Sequence, residues 1–140
     1  MTGQSADAQS VREFFETMST GEVAGGADLF HDPFLSLDPS SVTVVGREQL
    51  RAALPAREGL FSSVGASQPE LTDLQTTVLD DQHVLARTVW TMHVNRPGSP
   101  PLALDSTYLL RRNGTSWTAV VYLNHQDVRQ LLAARQDQTS

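Results

Sequence analysis

Val11, Phe14, Phe15 and Met18 recur at i, i+3, i+4 and i+7, the spacing that gathers apolar side chains on one face of a helix. Ser10 and Glu13 stand at capping-box distance in front of that run. The first helix is therefore predicted to start at Ser10, behind a loose polar leader over residues 1–9, and to stop at Gly21. A second, weaker helix would carry Val23, Ala27 and Phe30 on one side, loosened by Gly25-Gly26. The pattern then shortens to two strands, residues 34–37 and 42–45, around the turn residues Asp38-Pro39-Ser40-Ser41. Residues 47–54 read as helix, and Pro55 starts a further helical turn through Phe61.

Beyond Gly65 the period changes to two. Residues 71–79, 84–94, 102–112 and 117–123 are rich in Thr, Val and aromatics. Asp80-Asp81, Pro97-Gly98-Ser99-Pro100-Pro101 and Asn113-Gly114 separate them as turns. Val128, Leu131 and Leu132 mark a short closing helix over 127–134. Helices first and an antiparallel meander afterwards is an α+β arrangement, expected as a single domain over residues 10–136.

Composition narrows the function classes. A chain of 140 residues, 39% hydrophobic and 19% charged, builds one globular core without staples. A net charge of -6 argues against a nucleic-acid partner, which needs clustered cations. The chain has no Cys, and so no disulfide, thiol nucleophile or thiolate metal site. It also has no Lys and no Ile, a codon bias of a GC-rich, bacterial genome that carries no mechanism. The start lacks the basic and apolar segments of a signal peptide, and no apolar run approaches a membrane span. A cytoplasmic protein is expected. His31, His83, His93 and His125 show no metal-ligand spacing, so neither a metal nor a cofactor is expected.

The stretch from Leu29 through His31-Asp32-Pro33 to Asp38-Pro39 resembles the ketosteroid isomerase segment that ends in the catalytic Asp-Pro. Gly46-Arg47-Glu48-Gln49 resembles the Gly-Arg-Glu-Gln that follows it, with a one-residue difference in spacing, and Ala103-Leu104-Asp105 opens the penultimate strand similarly. Over roughly residues 10–125 the chain looks like the nuclear-transport-factor-2-like (NTF2-like) superfamily of ketosteroid isomerases and SnoaL-like cyclases. That resemblance implies a cone-shaped α+β barrel, with N-terminal helices packed on a curved antiparallel sheet. It also places Asp38 on the isomerase's general base. At the two oxyanion donors the chain departs from the family. Phe14 stands where a Tyr is expected, and Tyr108, or Ser106 with another gap, where a protonated Asp is expected. Losing one such donor slows a reaction by about a hundred- to a thousandfold, so steroid isomerisation is not expected.

The resemblance also selects the inward face of each strand. With an even hairpin loop over residues 113–116, the inner wall would consist of Phe14, Met18, Asp38, Thr88, Trp90, Met92, Ser106, Tyr108, Val121 and Leu123, an apolar surface with a carboxylate and a phenol. Asp38 and Tyr108 are the catalytic candidates and the rest would bind ligand. Each residue has a plainer alternative. Asp38 before Pro-Ser-Ser is ordinary turn chemistry, and Tyr108 and Trp90 are of the type that fills cores. Arg111 and Arg112 read as a solvated hairpin tip. The first functional reading is a pocket for a small apolar molecule, with proton-transfer, cyclase, dehydratase or hydrolase chemistry at Asp38. The alternative is a non-catalytic homodimeric module whose interior is filled. In both, the outer-face residues Val89, Thr91, Leu109 and Val120 suggest a homodimer.

Overall fold

The computed structural model describes residues 2–20, 25–63, 65–66, 69–95, 97–98, 100–127, 130–131 and 134. Gly21, Val23, Ser99, Val128 and Leu132, used in the sequence reading, lie outside the described residues. The elements are α1 (Thr2–Thr20), a 3-10 turn (Gly25–Leu29), β1 (Phe30–Asp38), β2 (Ser41–Val45), α2 (Arg47–Ser63), β3 (Glu70–Val78), β4 (His83–Met92), β5 (Leu102–Asn113) and β6 (Ser116–Asn124). No helix among the described residues is long and apolar enough to cross a membrane.

The strands form one six-stranded sheet in the order β2-β1-β6-β5-β4-β3. The meander β3-β4-β5-β6 is antiparallel, as expected from its turns. β1, however, joins β6 in parallel, so the sheet is mixed rather than antiparallel throughout. Because β2 and β3 remain free edges, it does not close into a barrel.

α1 begins at Thr2, eight residues before the position predicted from the capping box. Ser10 is therefore inside the helix, and its hydroxyl bonds back to the Asp7 carbonyl at 3.1 Å, a use open to Ser away from a helix start. The indole N–H of Trp117 donates to Ser10 Oγ at 2.9 Å. Arg112 donates to Asp7 Oδ1 at 2.8 Å and lies 4.4 Å over the Trp117 ring. Arg112 is thus no solvated hairpin tip: it fastens the first helix to the β5–β6 hairpin, whose turn uses Gly114 at φ 65°.

Val11, Phe14 and Phe15 of α1 are buried on the inner face of the sheet. They meet Val84, Ala86, Trp90 and Met92 of β4 and Leu102, Leu104, Tyr108 and Leu110 of β5 in one core. α2 is a single helix through Pro55, capped at its start by the Gln49 side chain accepting the Gly46 N–H at 2.7 Å. Asp32 Oδ1 accepts the Arg47 N–H at 3.0 Å at the same end.

Candidate functional site

On β4 and β5 the inward assignment follows the period of two. Thr88, Trp90, Met92, Ser106 and Tyr108 are all buried on the face that α1 covers. Phe14 and Phe15 sit edge-on at 5.1 Å, Phe15 lies 4.9 Å from Tyr108, and Trp90 approaches Phe15 at 6.1 Å. Phe30 lies against Phe34 at 4.6 Å in a tilted geometry. Met18 completes this end with its sulfur 3.9 Å from the Tyr108 hydroxyl. Directly beneath α1 the rings of Phe14, Phe15, Trp90 and Tyr108 pack together, with Met92 buried in the same core.

β6 departs from the expected parity. Leu110 faces Ala119, but Leu109 faces Val121, so Val120 is an extra residue in the ladder. This β-bulge inverts the remainder of the strand. Tyr122 and Asn124 face inward and are buried, whereas Val121 and Leu123 turn to the outer face and are only half-buried. The inward placement of Val121 and Leu123 is therefore corrected. Two adjacent valines carry no Gly or Pro to signal a bulge, and an unbroken alternation was the natural reading.

The inversion builds a polar row across the inner face. Thr88, Ser106 and Asn124 are in register on β4, β5 and β6 and are the buried polar side chains among the described residues. Ser106 Oγ donates to Asn124 Oδ1 at 3.4 Å, Thr88 Oγ1 donates to the Ser106 carbonyl at 3.3 Å, and Gln126 donates to Asn124 Oδ1 at 3.3 Å. Tyr122 stacks on Tyr108 at 5.0 Å and 26°. Ser36 pairs with Tyr122 in the parallel register. Asp38 lies two residues further along β1, on the same face as Ser36 by the strand period.

Asp38 is half-buried at the end of β1, and its Oδ1 accepts the Ser40 N–H at 2.8 Å. That contact is the Asx-turn bond of the plainer alternative. Burial, and then the neighbouring Tyr122, push the Tyr108 phenol above its ordinary value, with Arg57 and a hydrogen bond from Trp90 opposing. Tyr108 is thus a neutral phenol across the biological pH range.

Sequence reasoning missed Arg57. It occupies the inner stripe of α2 formed by Leu50, Leu54 and Phe61, at helical spacing. Its Nη2 donates to the Tyr122 hydroxyl at 3.0 Å, and its guanidinium lies 5.7 Å from the Tyr122 ring and 5.8 Å from the Phe61 ring. The neighbouring Tyr122 phenol, which accepts its hydrogen bond, holds the guanidinium above its ordinary value against the opposing effect of burial. The available signal was a cation at an apolar-stripe position. Tyr122 and Asn124 were missed with the bulge.

This site lies in a recognisable frame. Residues 6–138 match the model of a family described as NTF2-like protein (DUF6841). The chain belongs to that NTF2-like family. No match is found among curated proteins. Among solved structures, an NTF2-like protein with a cystatin-like fold from Novosphingobium aromaticivorans is similar at a TM-score of 0.66 and 16% identity, covering 90% of this chain and 88% of its own. A protein of unknown function from Mycobacterium tuberculosis reaches a TM-score of 0.69 at 17% identity over 90% and 75% of the two chains. A Catenulispora acidiphila protein of ketosteroid isomerase-like fold, solved in complex with trimethylamine, gives 0.54 at 17% identity over 84% of each. At these identities the likeness is one of fold alone.

Proposed function

We propose that this NTF2-like protein binds a small, largely apolar molecule on the inner face of its sheet, beside the polar row that crosses β4, β5 and β6. The observation that carries this reading is the polar row. Thr88, Ser106 and Asn124 stand in register among buried side chains that are otherwise apolar or aromatic, and Tyr122 and Arg57 border them. The row is held in place by its own hydrogen bonds, and a few convergent polar groups on an apolar wall are the usual make-up of a small-molecule site. A titration of the labelled protein with small apolar carbonyl compounds, followed by NMR, should shift Ser106, Tyr122 and Asn124. Shifts confined to the outer face, or none, would refute the reading.

Chemistry at Asp38 is the finer part of the proposal. Its position at the β1 end, on the inner-face side, supports a proton-transfer role, and its turn bond supports a structural one. Asp38→Asn separates the two. The amide oxygen still accepts the Ser40 N–H, so the melting temperature should hold in either case, while proton exchange α to a bound ketone stops only if Asp38 is the base.

A homodimer through the outer face is the second proposal. Val42 and Val44 on β2 are 73% and 67% exposed. They pair with Leu37 and Leu35 on β1, which in turn register with Leu123 and Val121 on β6. Paired residues share a face, so an apolar band runs across three strands, continued on β5 by Leu109 opposite Val121. A band of this kind favours association over free exposure.

A further inference from the structure

We infer that Arg57, oriented by Tyr122, is the recognition group for a single carboxylate on the molecule bound at the inner face. The inference rests on the pocket reading above and names the class of ligand.

The chain carries 16 acidic and 10 basic residues, so carboxylates are plentiful. Other arginines take them: Arg51 pairs with Asp28 and Glu48, Arg87 with Asp105, and Arg112 with Asp7. Arg57 does not. Among the described residues its hydrogen-bond acceptor is the Tyr122 hydroxyl alone, through Nη2, and the rings beside it are those of Tyr122 and Phe61. A guanidinium has five N–H donors. The Nε and Nη1 donors have no protein acceptor among the described residues, although the side chain is half-buried against two rings.

A half-buried cation without a counter-charge is costly, and an incoming anion relieves that cost. The remaining N–H groups of a planar guanidinium suit the two oxygens of a carboxylate. The Tyr122 hydroxyl uses its oxygen to accept from Arg57, which leaves its own hydrogen free to donate to the same anion. Among the described residues no second cation acts on Arg57 or Tyr108, so the site balances one negative charge rather than the two of a phosphate monoester. The rings of Phe61 and Tyr122 flank the guanidinium, so the part of the ligand next to its carboxylate should be apolar.

The test uses three probes of one shape, 2-naphthoate, 2-naphthamide and 2-naphthyl phosphate, measured by calorimetry against the full chain and its Arg57→Met and Arg57→Gln variants. Each variant is first checked for an unchanged fold by its melting curve. The full chain should bind the carboxylate about 10- to 100-fold more tightly than the amide, the range expected for hydrogen bonds to a charged group. Arg57→Met should erase that preference. Should Arg57→Met not fold, Arg57→Gln, which keeps a donor for Tyr122 but no charge, decides in the same way. Equal affinity for carboxylate and amide, a preference that survives loss of the charge, or tighter binding of the phosphate would overturn the inference while leaving the pocket standing. Failure of every probe to bind the full chain would overturn both.

Discussion

Phe15→Ala tests the seating of α1 on the sheet most directly. Phe15 is fully buried and touches three other rings, Phe14 at 5.1 Å, Tyr108 at 4.9 Å and Trp90 at 6.1 Å. Truncating a buried Phe costs about 3–5 kcal/mol from lost transfer energy and the void left behind. Ring pairs in edge or tilted geometry add about 0.5–1.5 kcal/mol beyond area, which places Phe15 toward the upper end. Unfolding entropy of about 2.1 cal/mol/K per residue gives a 140-residue chain roughly 0.3 kcal/mol/K. The melting temperature should therefore fall by roughly 10–17 °C. Calorimetry or circular dichroism measures the fall. Benzene provides an internal control, because a dry apolar void binds it and an intact core does not. It should raise the melting temperature of Phe15→Ala and leave the unsubstituted protein unchanged. A loss below about 1 kcal/mol would mean that α1 does not cover the inner face, and the account of the core would fail.

Trp117→Phe removes the donor to Ser10 and should destabilise by about 1 kcal/mol. Ser10→Ala should do much the same, and the double variant should lose less than the sum if the bond is real, as a thermodynamic cycle by denaturant melting will show. Val121→Asp places a charge in the outer apolar band. Sedimentation should show a dimer for the unsubstituted chain and a folded monomer for the variant, and a monomer in both would remove the dimer proposal. Asp105 is held below the ordinary carboxylate range by its hydrogen bonds from Arg87, whose charge adds to them against partial burial. A lowered pKa means stability that is present above the unfolded value and lost as pH falls through the folded one. Melting curves of the native chain and Asp105→Asn should therefore differ at neutral pH and converge in acid below about pH 4. A constant gap at all pH values would refute that origin.

The long elements were legible because their signals are redundant. α1 shows four apolar residues at helical spacing, and the four meander strands alternate over long runs between strong turn residues. Whatever depended on one residue was not legible. The leader over residues 2–9 is helical although its composition is small and polar, because the helix is anchored there by tertiary contacts of Asp7 and Ser10 with Arg112 and Trp117. The parallel pairing of β1 with β6 left no local mark either, since nothing in a strand's sequence specifies its partner's direction. The inner-face residues on β4 and β5 were found by alternation. Those on β6 were not, because the bulge lies within the run Ala119-Val120-Val121, where each residue suits a strand equally well. Arg57 was overlooked because it reads as a solvated helix position unless the stripe of Leu50, Leu54 and Phe61 is followed through it.

The bulge at Val120 links the two functional proposals. Without it, the alternation begun by Trp117 and Ala119 would continue inward through Val121 and Leu123. The inner face would gain two aliphatic side chains beside Tyr108 and Ser106, and Asn124 would not reach Ser106. Tyr122 would point outward, away from Arg57, and the half-buried guanidinium would lose its acceptor. The outer face would instead present Tyr122 and Asn124 next to Leu35 and Leu37, breaking the apolar band with a phenol and an amide. One extra residue therefore moves polar groups to the face where a ligand is proposed and apolar groups to the face where a second copy is proposed. Deleting Val120 takes out the extra residue and leaves Ala119 inward, Val121 outward and Tyr122 inward in unbroken alternation, so the two sets should stay on their faces. A deletion variant that folds should therefore keep both carboxylate binding and dimerisation. Loss of both together would show that the side chains exchange faces once the bulge is gone, and would refute this account of the register.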